Sequence, residues 1–90
     1  MTRMVSTVDE IASRLRRLRT ALGMSQADLC RRIGVAPNRW NQYETGERRI
    51  TVEVAGKLED AFGVTLDFVY LGKEAGLPVR IVDQILDAAE

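Results

Sequence analysis

The sequence contains no histidine and only one cysteine, Cys30. Without histidine the common zinc sites and histidine-based acid–base catalysis are excluded, and a single cysteine cannot form a disulfide within the chain. No nucleophile–base pair and no other metal-ligating pattern stands out. We therefore expect a protein that is not an enzyme and that uses neither a metal nor another cofactor.

Long hydrophobic runs are also missing from the sequence. The longest uninterrupted apolar stretch covers residues 68–71, whereas a membrane-spanning helix needs about 20 such residues. The N-terminus lacks the apolar core of a secretory signal, so we expect a soluble, cytoplasmic chain with no membrane contact. Ninety residues with 46% hydrophobic content suit a single globular domain with a modest core.

Neither sign of charge is in excess, because 13 basic residues balance 13 acidic ones. The charge is nevertheless unevenly distributed. Residues 1–49 hold ten arginines and five acidic residues, and residues 50–90 hold three basic and eight acidic residues, so the halves carry +5 and −5. The basic half suits a polyanionic partner such as DNA, whereas the zero net charge argues against one. A merely solvated basic face is the alternative.

The spacing of apolar residues predicts an all-α fold, because they recur every three or four residues and no stretch alternates with period two. In the first half of the chain, Thr7 and Ser25 are candidate N-caps, and Gly23 and Gly34 are candidate helix ends. Pro37 suits a first helical position, where a backbone N–H is not needed. These signals predict three helices, over residues 8–22, 26–33 and 37–44.

The second half of the chain predicts three further helices. Thr51 and Thr65 are candidate N-caps of the fourth and fifth, and a final helix begins near Pro78. The final helix has a wide apolar face, formed by Val79, Ile81, Val82, Ile85, Leu86, Ala88 and Ala89. This face either covers helices one and five or contributes to a two-fold dimer interface or to the binding of a protein partner. We expect a domain over residues 7–72 and a helical tail over 73–90.

The second and third helices, joined by a tight glycine turn, are typical of a helix-turn-helix, whose second helix lies in the DNA major groove. Inward-facing positions of this unit are predicted at Leu29, Ile33, Val35, Trp40 and Tyr43, with Cys30 as a small residue where the helices cross. The polar positions of the third helix then face outward, at Asn38, Arg39, Asn41 and Gln42.

The outward side chains are of types that contact nucleic acid. Asn and Gln can pair with adenine and Arg with guanine, and the Pro37 ring can touch a thymine methyl group. The N-terminus of the second helix, with Ser25 and Gln26, suits a phosphate, as do Arg48 and Arg49 after the third helix. By contrast, three arginines of the first helix, Arg14, Arg16 and Arg17, are expected to form a solvated face, with phosphate contacts as the alternative.

The stretch RTALGMSQADLCRRIGVAPNRWNQYETGERR, followed by ITVEVAGKLEDAFGVTLDFVYLG, resembles the lambda-repressor-like helix-turn-helix family, also called the XRE or Cro/C1 type. The resemblance covers residues 11–72. Its specific marks are the Ser25-Gln26 start, Leu29, a small residue at position 30, Gly34-Val35, and the Glu44-x-Gly46 ending of the recognition helix.

This resemblance implies a five-helix DNA-binding domain with an additional C-terminal helix. The implied function is a bacterial or phage transcriptional regulator, a repressor, that binds a palindromic operator in double-stranded DNA as a homodimer through helix 37–44. By position, base contacts are implied for Pro37, Asn38 and Gln42, phosphate contacts for Ser25, Gln26, Thr45 and Arg49, and a buried ion pair for Arg19 and Glu44.

Two residues depart from the family pattern. Pro37 lacks the polar group that many relatives use for a base contact, and the position of Trp40 is more often Ile. The alternative function is a protein-interaction module on the same fold, such as an antitoxin or adaptor, whose C-terminal helix binds a partner protein.

Overall fold

The computed structural model describes residues 5–88, with side chains described as far as Ile85. This part of the chain is all-α and contains no strand, which confirms the predicted fold class. The six predicted helices are present, with bounds close to those expected. They are α1 (Val8–Ala21), α2 (Gln26–Ile33), α3 (Pro37–Thr45), α4 (Val52–Phe62), α5 (Leu66–Leu71) and α6 (Val79–Ala88).

Side-chain caps begin most of the helices where the sequence predicts them. Thr7 and Glu10 form a reciprocal capping box: the Thr7 hydroxyl accepts from the Glu10 N–H at 3.2 Å, and the Glu10 carboxylate accepts from the Thr7 N–H at 2.7 Å. Ser25, Thr51 and Thr65 each accept from the N–H three residues later. Each cap satisfies a donor that the helix itself leaves free.

A single core joins the six helices. α1 packs against α3, α5 and α6, and α2 packs against α3 and α4. The least exposed of its large side chains are Trp40, Ile11, Leu15, Leu18, Leu29, Leu58, Ile81, Val64 and Val69. Since α1 lies between α3 and α6, it fixes the position of the recognition helix relative to the rest of the domain.

The C-terminal helix α6 covers the core. Leu77, just before α6, is 8% exposed, and Ile81 and Ile85 in α6 are 1% and 7% exposed; all three belong to the same buried cluster, and α6 packs against α1. Val79 is 76% exposed on the outside. Val82 is half-buried against the same cluster, whereas the remaining residues of the predicted apolar face, at positions 86, 88 and 89, have side chains outside the described residues. Of the arrangements open from the sequence, covering of the core is therefore present, and α6 packs against α1 as that arrangement predicts.

Two arginines of α1 are not merely solvated, and the expectation for them was wrong. Arg14 donates to the Val69 carbonyl at 2.8 Å and to the Ser6 hydroxyl at 3.0 Å, and Arg16 donates to the Glu44 carbonyl. Val69 and Glu44 lie in the last turns of α5 and α3, whose carbonyls have no partner within the helix. Both arginines therefore satisfy helix ends, and Arg17 alone of the three is exposed without such a contact in the described chain.

Two glycines with equally open surroundings should respond oppositely to alanine. A Cβ at Gly34 or at Gly56 would meet no atom within 4 Å, but Gly34 has φ +72° whereas Gly56 lies inside α4. We expect Gly56→Ala to raise the free energy of unfolding by about 0.5–1 kcal/mol, because alanine favours helix. We expect Gly34→Ala to lower it by about 1–2 kcal/mol, because alanine is strained at positive φ. Urea unfolding followed by circular dichroism measures both, and a change of the same sign at the two sites would contradict this account.

None of the helices in the described part of the chain combines the length and the apolarity that a bilayer crossing demands.

Candidate nucleic-acid interface

The recognition helix α3 has an inner and an outer face. Trp40 and Tyr43 are 0% and 3% exposed and pack edge to face, with ring centroids 6.1 Å apart and planes at 83°. Leu29, Ile33 and Val35, from α2 and the turn, are buried in the same cluster. Because the apolar side of α3 is fully used by this packing, its polar side is turned away from the core.

The turn between α2 and α3 is closed by the backbone. Gly34 adopts the left-handed conformation, which only glycine takes without strain, and its N–H donates to the Cys30 carbonyl at 2.8 Å. The Val35 N–H donates to the same carbonyl at 3.1 Å. Cys30 is 3% exposed, and burial raises the pKa of its thiol. It therefore serves as a small apolar residue at the helix crossing.

Glu44, near the end of α3, is a buried carboxylate that accepts four hydrogen bonds. Arg19 donates through Nε at 2.7 Å and Nη2 at 3.1 Å, Gln26 through Nε2 at 3.0 Å, and Trp40 through Nε1 at 2.5 Å. The side chain of Glu44 is only 3% exposed. Since a buried charge is tolerated only when it is paired and hydrogen-bonded, this set of donors explains how Glu44 can lie in the core.

The same contacts set the protonation of Glu44. Burial raises the pKa of the carboxyl, but hydrogen bonds from Arg19, Gln26 and Trp40 favour the charged form and lower the pKa below its usual value overall. The Arg19 pKa is raised, chiefly by its hydrogen bond to Glu44. Arg19 also donates to the Met24 carbonyl at 3.0 Å, just before α2. One charged cluster therefore links α1, α2 and α3 and fixes the orientation of α3.

The five candidate base-contacting residues lie on the outer side of α3. Pro37, Asn38, Arg39 and Asn41 are exposed, and Gln42 is half-buried. Ala36, the N-cap residue of α3, has no side chain that can accept a hydrogen bond from the first turn of the helix. Within that turn, the Asn38 Oδ1 accepts a hydrogen bond from the Arg39 N–H at 3.0 Å. The side chains are therefore accessible, and several of their amide and guanidinium donors point to solvent rather than to the core.

An open groove runs along the same side of α3. It lies between the turn after α2, the helix α3 and the beginning of α4, and it is lined by Gly34, Val35, Ala36, Asn38, Arg39, Gln42, Arg48, Glu53, Val54 and Lys57. Three of its lining residues are cationic and one is acidic. Sequence reasoning missed Lys57 and Glu53. Their spacing of four, on one ridge of α4, was the only available signal.

The candidate phosphate-contacting residues lie at both ends of this surface. Ser25 is exposed at the N-cap of α2, where its hydroxyl accepts from the Asp28 N–H at 3.1 Å and keeps its own proton to donate. Gln26 contacts Asn41, so the beginning of α2 lies on the Asn41 side of α3. Thr45 is exposed at the end of α3 and donates to the Gln42 carbonyl at 3.2 Å.

Arg48 and Arg49 follow α3 and are both exposed. The Arg48 side chain lines the groove beside Gln42, and its backbone N–H donates to the Gln42 carbonyl at 3.1 Å. Arg49 donates one N–H to the Ser6 carbonyl at 3.1 Å, which leaves the other donors of its guanidinium group for a ligand. Within residues 5–88, no cluster of histidine, cysteine or acidic side chains could hold a metal ion.

The chain is similar in sequence to known proteins. The helix-turn-helix family model HTH_3 matches residues 15–69. The chain is 36% identical over 78 residues to a protein of Rhodospirillum rubrum described as an uncharacterized transcriptional regulator in the ATPase CF(0) region, which covers 86% of this chain and 72% of the relative. It is 32% identical over 77 residues to the HTH-type transcriptional regulator RamB of Mycobacterium tuberculosis, over 86% of this chain and 16% of RamB.

A eukaryotic relative is also similar. Multiprotein-bridging factor 1 of Candida glabrata is 37% identical over 70 residues, which are 78% of this chain and 46% of that protein. No solved structure is detectably similar to the chain. The chain spans less than half the length of RamB and of Multiprotein-bridging factor 1.

Proposed function

Because the chain belongs to the XRE-type helix-turn-helix family of DNA-binding transcriptional regulators, we propose that it is a repressor that binds a palindromic operator as a homodimer through α3. The observation that carries the proposal is the exposed polar face of α3, held in place by the buried Glu44 cluster. A helix held rigidly with amide and guanidinium groups outward is suited to the major groove.

We assign the base contacts to Pro37, Asn38, Arg39, Asn41 and Gln42. None of these five side chains is fully buried, and the core beneath α3 is formed without them. Arg39 is suited to guanine through its paired N–H groups, and the Pro37 ring is suited to a thymine methyl group. The amide residues supply the remaining hydrogen bonds to base edges.

We assign the phosphate contacts to Ser25, Gln26, Thr45, Arg48 and Arg49. The first backbone N–H groups of α2, at Gln26 and Ala27, have no partner within the helix and favour an anion. The Ser25 hydroxyl proton adds a donor at that end, and the two arginines add positive charge at the other. Contacts on both sides of α3 would fix its register in the groove.

The small size of this surface supports the proposed homodimer. A single module of this kind contacts too few bases and phosphates for useful operator affinity, and two-fold symmetry doubles the contacts. We expect two protomers on each operator duplex, measured by sedimentation of the complex at a small excess of protein. A saturated complex with one protomer would contradict the dimer. Deletion of residues 77–90 is not a clean test, because Leu77, Ile81 and Ile85 belong to the core.

Selection of bound duplexes from a random DNA pool tests the proposed function. We expect an enriched palindrome whose half-site centres lie about 34 Å apart, one turn of the duplex, because both recognition helices then contact one face. A selection in which no sequence is enriched would contradict the proposal.

Regulators of this family are typically not enzymes, and we propose no catalytic activity for this chain. A bacterial DNA ligand would also require a cytoplasmic location.

A second candidate function is that of an adaptor between proteins. It is favoured by the similarity to Multiprotein-bridging factor 1, whose name describes bridging of proteins. The exposed Val79 on α6 would be available for such a contact. This candidate predicts that the random-pool selection enriches no sequence, so the same experiment separates the two functions.

A further inference from the structure

One flank of the recognition helix is bordered by α1 and by the beginning of α2. Gln26 donates to the Asn41 side chain at 3.2 Å and to Glu44 Oε1 at 3.0 Å. Arg19 donates to the same carboxylate, and Arg16, about one turn earlier in α1, donates to the Glu44 carbonyl. The guanidinium group of Arg16 therefore lies beside the last turn of α3, on the flank that α1 and the beginning of α2 border.

This flank carries part of the proposed phosphate-contacting surface. Ser25 and Gln26, at the beginning of α2, and Thr45, at the end of α3, are assigned to phosphates in the proposed function. Thr45 follows Glu44 directly in the chain, so the contact of Arg16 with the Glu44 carbonyl brings a cation next to Thr45. This cation comes from α1, outside the helix-turn-helix unit.

Arg16 has a charge and hydrogen-bond donors available for a ligand. Its side chain is exposed, and among the described residues it pairs with no carboxylate. A guanidinium group has five N–H donors in one plane, and the Glu44 carbonyl accepts from Arg16 through Nη1 only. Such a group can hold a carbonyl and a phosphate oxygen at once. Arg14, by contrast, is half-buried and donates to the end of α5, away from α3.

We propose that Arg16 contacts the DNA phosphate bound by Thr45 or its neighbour, so that α1 joins the end of the recognition helix to the DNA backbone. This inference rests on the proposed DNA-binding function. The contact adds affinity on every sequence, because phosphates carry no sequence information. It also helps to fix the register of α3, since the same guanidinium group holds a carbonyl in its last turn.

Arg16→Gln tests the contribution of the charge, because the glutamine amide can still donate to the Glu44 carbonyl. We expect DNA binding to weaken about 5-fold for each bound protomer near ~0.15 M salt, and the slope of log affinity against log salt to flatten by about 0.9. Arg16→Lys keeps the charge and should keep the wild-type slope. Arg17→Gln is the matched control, since Arg17 is exposed and donates to no described residue, and its slope should also equal that of the wild type.

A second measurement locates the contact on the DNA. Each phosphate of the enriched duplex is replaced in turn by a neutral methylphosphonate. We expect one phosphate in each half-site at which the replacement weakens wild-type binding about 5-fold but leaves binding by Arg16→Gln almost unaltered, because that charge is already gone. Thr45→Ala should reduce the sensitivity at the same phosphate or at the next one. The base preference of Arg16→Gln should equal that of the wild type.

The outcomes separate this contact from a purely structural role and from the proposed function. A wild-type salt slope in folded Arg16→Gln, a flattened slope in Arg16→Lys, or an equal effect of Arg17→Gln would overturn the inference. A methylphosphonate profile that is identical in wild type and Arg16→Gln, or a changed base preference, would do so as well, because either would indicate that Arg16 only orients α3. A wild type that binds no duplex would instead contradict the proposed function.

Discussion

Glu44→Gln is expected to lower the free energy of unfolding by about 3 kcal/mol, a large fraction of the stability of a domain of this size. The substitution keeps the shape of the side chain but removes the charge that accepts four hydrogen bonds. Arg19, with only 22% of its side chain exposed, then lacks its counter-charge, and Trp40 keeps a weaker acceptor for its buried N–H. Urea unfolding followed by circular dichroism measures the loss, which should lower the Tm by roughly 10–20 °C.

Glu47→Gln is the matched control for this substitution. It makes the same chemical change three residues further along, at an exposed position, and should alter the free energy of unfolding by less than about 0.5 kcal/mol. Equal losses for the two variants would mean that the Glu44 cluster does not hold α3 in place.

The pH dependence of stability gives a second readout of the same substitution. The pKa of Glu44 is lowered in the folded state, so its contribution is fully present above its usual value of 4.5 and is lost as pH falls through the lower folded value. The wild type should therefore exceed Glu44→Gln in stability most clearly near neutral pH. The difference should shrink as the pH falls below 4.5. A difference that stays constant down to acid unfolding would contradict the assignment.

Neutralising Arg48 and Arg49 together is expected to weaken DNA binding about 30-fold for each bound protomer near ~0.15 M salt. Both side chains are exposed directly after α3, and Arg48 lines the groove beside it. If they contact phosphates, Arg48→Gln/Arg49→Gln removes two counterion-releasing contacts from each half-site. The slope of log affinity against log salt should then flatten by about two per protomer, with similar losses on specific and scrambled DNA.

An equal change of charge elsewhere provides the control. Arg32 and Arg80 line a different groove, with Leu22, Met24, Ala61, Phe62 and Gln84, to which α3 contributes no residue. Arg32→Gln/Arg80→Gln should leave the salt slope almost unchanged. An unaltered slope in the Arg48 and Arg49 variant, or an equal effect in the control, would refute phosphate contacts at these two arginines.

Local signals in the sequence predicted most of the helix boundaries. Thr7, Ser25, Thr51 and Thr65 cap their helices through the N–H three residues later, an interaction that needs no information from elsewhere in the chain. The inward positions of α3 followed from the same reasoning, because Trp40 and Tyr43 share one side of a helix. Such features depend on helix geometry alone.

Contacts between distant residues could not be predicted from spacing. The contact of Arg16 with the Glu44 carbonyl spans 28 residues and depends on where α3 ends against α1. The pairing of Arg19 with Glu44 was implied only by the family resemblance. The amphipathic pattern of α6 indicated an apolar face but not the surface beneath it, because amphipathicity does not name a partner. The hydrogen bond from Gln26 to Asn41 was likewise not predictable, because it joins residues 15 positions apart on two different helices.

The central claim, that the exposed face of α3 recognises a particular DNA sequence, is tested most directly by one affinity ratio. The Kd of the wild type is measured for the duplex enriched in the random-pool selection and for a scrambled duplex of the same composition, both near ~0.15 M salt. We predict that the enriched duplex binds at least about 1000-fold more tightly. A ratio below about 10-fold would show that the protein binds DNA through charge alone, and would contradict sequence recognition by α3.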